Sequence, residues 1–302
     1  MGLTTGNGSV TSFGKQLRRI VIRCIAVLTT VTVAGALAAC GSAQGAVGLP
    51  KDALPEGSTR TITFGITPGP YGDMITDVIA PLIRKDGYVL ETKEFNDYVQ
   101  PNKALAAGQI DANLFQHTPY LTKFAKENNL DLTSLGYVPT LGMGLYSKRY
   151  KTLEELPQGA TISIASDASN TSRSLTALAQ KNLITVKDGI DPTKATLNDI
   201  SSNPKDLKFK SIDAAQVARS LDTVDAGLVN GGFALSAGLD PKNALLLEEP
   251  TKDVVNVVAV RTSDKDSDFA VKLSALLVSQ EFKDAIKASP VFSQFAEPPS
   301  WK

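Results

Sequence analysis

A regular alternation of strand-like and helix-like segments begins near residue 60 and narrows the folds open to this chain more than any single motif does. TITFGI (61–66) alternates apolar and polar residues and runs into TPGPYG, a strand followed by a turn. From Asp73, placed to cap a helix, Met74, Val78, Ile79, Leu82 and Ile83 recur at helical spacing as far as Gly87. YVLET (88–92) reads as a second strand. Pro101, pre-set for a first helical turn, opens a short helix that Gly108 stops, and residues 110–114 make a third strand. Strand, helix, strand, helix and strand in that order predict a parallel sheet with helices on its faces.

At 302 residues the chain exceeds the usual size of one domain, so two lobes are expected. Residues 119–128 read as a helix whose buried stripe is Leu121, Phe124 and Ala125. LGYVPTLGMGLY (135–146) is apolar but carries three glycines and a proline. A core strand would not tolerate those breakers, so the segment is expected to cross between lobes. A short helix at 151–157 opens the second lobe, followed by a strand at 161–165 and a helix bearing Leu175, Leu178, Ala179 and Leu183. Strand 207–212, helix 214–222 and strand 226–230 continue it. VVNVVAVR (254–261) is expected to cross back. Helices at 268–277 and 281–288 then close the first lobe, with Phe292, Phe295 and Trp301 sealing its edge. The expected fold is α/β and two-lobed, a periplasmic-binding-protein-like (type II-like) arrangement with two hinge strands. Lobe 1 takes residues 60–141 plus 257–302, and lobe 2 takes 142–256.

Residues 1–39 read as a targeting segment: 1–14 polar and glycine-rich, 15–23 basic, 25–39 apolar with small residues at the end. LAAC (37–40) resembles a bacterial lipobox, in which the cysteine sulfur receives a diacylglyceryl group and the chain is cut before it. An alternative reading makes residues 20–39 a membrane span, since they just reach the ~20 residues required. Arg23 and a threonine-rich middle weigh against that reading. Cys24 lies in the segment to be discarded and Cys40 would carry lipid, so the mature chain has no thiol for a disulfide, a nucleophile or a metal cluster. Two palmitate-like acyl chains supply enough buried CH₂ groups for stable anchoring. Residues 40–59 form a tether of small, proline and charged residues, with order expected from Arg60. Setting aside the four basic residues of the leader leaves 27 basic against 31 acidic residues, which argues against a nucleic-acid partner.

Aromatics, amides and the only histidine concentrate in FNDYVQPNKALAAGQIDANLFQHTPY (95–120). The Asn96–Asp97 turn places Tyr98 just past a strand, and the next strand delivers Phe115, Gln116, His117 and Tyr120 to the same sheet edge, where ligands of open α/β sheets gather. Taken singly, each reads as a satisfied, half-buried polar residue; clustered, they read equally as one wall of a ligand pocket. In the second lobe, SDASNTSR (166–173) sits at a strand-to-helix turn suited to an anion, and Arg173 adds a planar bidentate donor for a carboxylate. N-capping with a surface arginine is the plainer alternative. Strand 226–230 ends in Asn230, followed by Gly231 and Gly232, which permit close backbone approach. Asn256 interrupts an apolar strand and needs a partner, either a ligand or the backbone of the crossing.

An enzyme would need a nucleophile, base or metal. One histidine makes no multi-histidine metal site, and no GxSxG, HExxH or phosphate-loop pattern occurs, so no enzyme activity and no cofactor are expected. Tyr98, Phe115 and Tyr120 suit an apolar side chain, expected between Tyr98 and Phe115. Arg173 with Asn170 suits a carboxylate, and Asn230 or Asn256 an amino group. Together they describe a zwitterionic amino acid with an uncharged side chain.

The run FNDYVQPNKALAAGQIDANLFQHTPYL closely resembles the NlpA/MetQ family of substrate-binding lipoproteins, which serve methionine-type ABC importers; the resemblance extends over roughly residues 60–302. It implies methionine or a close relative as ligand, with an ABC permease and its ATPase as partners; the chain is expected to be a monomer, anchored by lipid on the extracytoplasmic face of the cell membrane. It also implies ligand contacts at Tyr98, Phe115, His117, Asn170, Arg173, Asn230 and Asn256. The family usually has prolines where Ala165 and Ala168 stand, and a tyrosine where Phe233 stands. Another apolar amino acid, a D-isomer or a methionine dipeptide stays open as ligand, as does a surface lipoprotein reused for adhesion or display.

Cys40→Ser is expected to leave the protein unprocessed or soluble, while the wild type partitions into detergent. Partitioning unchanged in the variant would identify residues 20–39 as a membrane span instead.

Overall fold

The computed structural model describes residues 48–251 and 254–301. The expected signal segment, Cys40 and the first part of the expected tether lie outside them. β1 (Arg60–Ile66) buries Ile62 and Phe64 in the period of two that its sequence shows. α1 (Tyr71–Asp73), a π-helical stretch (Met74–Ile79) and α2 (Ala80–Ile83) form one helical run. β2 (Tyr88–Glu94) pairs with β1 in parallel. α3 (Gln100–Ala106) leads to β3 (Ala112–His117), which is parallel to β1 on its other side. β3 starts two residues later than its apolar pattern suggested, because the Asp111 carboxylate takes the Thr63 amide (2.9 Å) where a ladder bond would form. α4 (Thr118–Glu127) and β4 (Leu132–Tyr137) follow.

The second lobe holds β5 (Gly144–Tyr146), β6 (Thr161–Ala165), α5 (Ala168–Gln180), β7 (Thr185–Val186) and β8 (Ile200–Ser202). β9 (Lys208–Ile212), α6 (Ala214–Ser220), β10 (Ala226–Val229), α7 (Gly231–Ser236) and β11 (Leu246–Leu247) complete it. β12 (Asn256–Arg261) returns to the first lobe, followed by α8 (Asp268–Val278) and α9 (Gln280–Ala288).

Each lobe is built on a five-stranded sheet, in the orders β2-β1-β3-β12-β4 and β11-β5-β10-β6-β9. The β1, β2 and β3 pairings are parallel, as the alternation predicts, whereas β12 runs antiparallel between β3 and β4. The run starting at Val254 is therefore less a bare crossing than an inner strand, which explains why its apolar residues are continuous. Separate cores form around Phe64, Tyr88, Phe269 and Phe282 in one lobe and Ile162, Ile164, Leu178 and Leu228 in the other. Among the described residues no helix is long and apolar enough to cross a membrane.

Two local expectations fail. Residues 151–157 form no helix, because Lys205 Nζ gathers the carbonyls of Leu153, Glu154 and Leu156 (2.8–3.0 Å) that helical bonds would use. Packing also begins before Arg60: Leu49 is buried in the first core and its amide donates to Asp264 (3.1 Å).

The crossings explain the glycines of the first one. Val138 donates to Asn256 O (2.9 Å), and Thr140 exchanges backbone bonds with Ala296, so this end belongs to the first lobe. Met143 accepts from Glu248 N (2.8 Å) and Leu145 from Leu245 N (2.7 Å), so the other end belongs to the second. The change of partner falls on Leu141 and Gly142. A Cβ at Gly142 would overlap the carbonyl oxygen of Glu248, which fixes glycine where the two crossings touch.

Gly142→Ala is therefore expected to lower unfolding free energy by about 1–3 kcal/mol, the range for overpacking a filled site. Gly232→Ala, whose Cβ would meet nothing closer than 3.7 Å, is expected to cost nothing in the same chemical denaturation experiment.

Candidate ligand-binding site

Tyr98, Phe115, His117, Tyr120, Asn170, Arg173, Asn230 and Asn256 all line one cavity between the lobes. The cavity is a slot with about 430 Å³ of empty space, part of it open to solvent. Its floor is the end of β3 together with the first turns of α5 and α7.

One wall is aromatic. Tyr98 lies 5.5 Å from Phe115, stacks on Phe233 at 4.8 Å, and meets Tyr120 edge-on at 5.8 Å. The Tyr120 hydroxyl donates to Tyr98 O (2.9 Å), which locks the turn that the Asn96–Asp97 pair begins. A group sandwiched between two rings needs about 7 Å, twice an ordinary contact distance. The expected place between Tyr98 and Phe115 is therefore closed, and an apolar ligand group would lie against their edges.

The opposite wall is a chain of amides. Asp167 caps α5, accepting from Asn170 N (3.0 Å), Ser169 Oγ (2.8 Å) and Asn170 Nδ2 (2.9 Å). The helix N-terminus expected to hold an anion is thus filled by a carboxylate of the chain itself. Asn170 Oδ1 accepts from Asn230 Nδ2 (2.8 Å) and lies 3.2 Å from His117 Nε2. His117 Nδ1 accepts from Tyr120 N as the cap of α4, which assigns the imidazole proton to Nε2 and makes it the donor to Asn170. Burial first, and then the charge of Arg173, lower the His117 pKa from 6.5 to about 4, so the ring is neutral. Asn230 Oδ1 is buried and has no partner among the described residues.

Arg173 is less free than its sequence context suggests. Its Nε donates to both oxygens of Glu248 (2.7 and 2.9 Å) and its Nη2 to Oε2 (2.5 Å). Burial acts to raise the Glu248 pKa, but the charge and hydrogen bonds of Arg173 and the Met143 amide outweigh it, and the carboxyl is held below its ordinary range. Arg173 Nη1 makes no hydrogen bond among the described residues.

Sequence reasoning missed Thr67, Tyr71, Thr140 and Leu141, which also line the slot. Burial pushes the Tyr71 hydroxyl up to about 12 against the opposing influence of the Leu141 backbone, Thr140, Arg173 and Asn256, which places those groups around it. Tyr71 could have been found: it follows the end of β1 just as Tyr98 follows β2. Gln116, which also lines the slot, joins Asn102 and Asn113 in a buried amide cluster with bonds of 2.7–2.9 Å, holding β3 against α3.

The unfolded chain binds a proton on His117 below pH 6.5, whereas the folded chain resists until about 4. The contribution of His117 to stability is therefore full above pH 6.5 and is lost as pH falls toward 4. Melting temperature measured across that interval is expected to fall more steeply in wild type than in His117→Gln.

A family model described as NlpA lipoprotein matches residues 62–299. The methionine-binding lipoprotein MetQ of Bacillus subtilis (strain 168) is 36% identical over 259 residues, covering 84% of this chain and 91% of that protein. The D-methionine-binding lipoprotein MetQ of Escherichia coli (strain K12) is 34% identical over 261 residues, covering 85% and 94%. A nutrient binding protein from Burkholderia cenocepacia, solved bound to methionine, has 41% identity and a TM-score of 0.70, covering 75% of this chain and 95% of that one. With the match spanning both lobes and both walls of the slot, this chain belongs to the NlpA lipoprotein family.

Proposed function

We propose that this chain is the substrate-binding lipoprotein of an ABC importer, holding methionine or a closely related amino acid between its lobes and delivering it to a permease and its ATPase. It acts as a monomer, catalyses no reaction, and is anchored by lipid on Cys40 at the extracytoplasmic face of the cell membrane. The lobes that close on the ligand are residues 60–141 plus 257–302 and residues 142–256. The observation that carries this reading is the composition of the slot: an aromatic wall, one formally charged side chain in Arg173, and one unpaired buried carbonyl oxygen in Asn230.

In this reading the ligand carboxylate meets Arg173 Nη1 and the amino group meets Asn230 Oδ1, with Asn256 beside it. The apolar side chain lies against Tyr98 and Phe115, where a thioether is well tolerated at ring edges. His117 and Asn170 hold that set in place from either side of the cleft. A cationic side chain would meet the aromatic wall without a carboxylate. Methionine binding by relatives from Bacillus, Escherichia and Burkholderia supports the same ligand class.

Calorimetry on the refolded mature protein is expected to rank methionine above leucine, alanine and serine. Phe115→Ala is expected to shrink the preference for methionine over alanine by about tenfold or more, from the loss of ring contact worth roughly 1.5 kcal/mol. Tightest binding of a sugar, a metal chelate or a charged side chain would refute the assignment.

A further inference from the structure

Arg173 is the only formally charged side chain that lines the slot among the described residues. Its charge is balanced by a residue that does not line the slot. Glu248, 75 residues away in sequence and directly after β11, lies on the far side of the guanidinium and lines a separate cavity there. Its oxygens engage Arg173 Nε and Nη2, and Oε2 also accepts from the Met143 amide (2.9 Å). Only 5% of the Arg173 side chain and 8% of the Glu248 side chain are exposed.

Two consequences follow from this placement. A guanidinium is planar, so fixing Nε and one N–H of Nη2 also fixes the opposite edge, where Nη1 and the second N–H of Nη2 are left. The buried pair is also electrically neutral in a region where uncompensated charge acts several-fold more strongly than in water. An arginine without Glu248 would draw anions into the slot and repel cations.

Resting on the reading that the slot binds an amino acid, we propose that Glu248 is a positioning and specificity-determining residue of the site. By holding Arg173 in a neutral buried pair, it aims Nη1 at the ligand carboxylate and makes the site select zwitterions over ligands of net charge. The recognised class is then a free α-amino acid, not a simple carboxylate and not an amino-acid amide.

The test uses three probes of similar shape on the mature protein: methionine, 4-methylthiobutanoate, which lacks the amine, and methioninamide, which lacks the carboxylate. Wild type is expected to bind methionine best. Glu248→Gln is expected to shift the preference toward 4-methylthiobutanoate by roughly tenfold or more and further against methioninamide. In an Arg173→Gln background the same change is expected to produce no such shift, because a buried carboxyl without its cation partner takes up a proton and position 248 is then neutral before the substitution. Equal weakening of all three probes by Glu248→Gln would overturn the proposal, as would an undiminished shift in the Arg173→Gln background. Should Glu248→Gln fail to fold, Glu248→Asp keeps the charge but shortens the reach. It is expected to retain the zwitterion preference and to weaken methionine about tenfold, and an unchanged methionine affinity would overturn the positioning role. Wild type binding none of the three would refute the amino-acid reading itself, whereas methionine binding with uniform loss in Glu248→Gln refutes only the role of Glu248.

Discussion

The two chain crossings touch at Met143 and Glu248, and most of what is distinctive in this molecule depends on that contact. Met143 O accepts from Glu248 N, and Glu248 answers with its side chain, its carboxylate taking Met143 N where a regular ladder would use a carbonyl. The same carboxylate holds Arg173 on α5. One residue thus ends a sheet, joins the crossings and sets the charge behind the slot. Gly142 follows from this contact, because no Cβ fits beside the Glu248 carbonyl. The first of the paired glycines on α7 does similar work: a Cβ on Gly231 would fall 2.8 Å from the carbonyl oxygens of Leu141 and Gly142.

Polar groups in the cleft are mostly committed to one another. Asp167 holds Asn170, Asn170 holds Asn230 and His117, and His117 caps α4. The Asn102, Asn113 and Gln116 cluster fixes the end of β3 in the same manner. An unpaired buried polar atom costs roughly 1–3 kcal/mol, so few are left. Of the slot-lining side-chain atoms, Asn230 Oδ1 is the one left buried and unpaired among the described residues.

How much of this was legible in the sequence depended on the range of the interaction. Strand and helix periods are local, so β1, β2, α3, α5 and α8 could be read directly from spacing. The aromatic and amide cluster was legible because its members end neighbouring strands. Glu248 was not, since its role depends on a partner 75 residues away and EEP carries no turn or period that points to it. Lys205 stayed invisible for the same reason, although its three carbonyl contacts decide that residues 151–157 are not helical. Asp167 shows a subtler limit: its cap on α5 follows a known pattern, but only geometry shows that the cap displaces the anion the turn seemed built to hold.

Phe233 illustrates how one missing hydroxyl changes the contact between the lobes. The resembling family usually carries tyrosine there, and a buried tyrosine hydroxyl needs a partner. Here the ring is buried and stacks on Tyr98 at 4.8 Å with an interplanar angle of 26°, an apolar contact across the cleft. Among the described residues, the side-chain hydrogen bond that joins the lobes is His117 to Asn170, between two neutral groups. The charged pair of Arg173 and Glu248 lies wholly within the second lobe. Contact across the cleft is therefore made by ring stacking and a neutral hydrogen bond, neither of which salt screens appreciably. The buried charged pair is thus kept apart from the contacts between the lobes, so under the proposed function a ligand would be selected by its charge pattern without ionic strength setting the contact across the cleft.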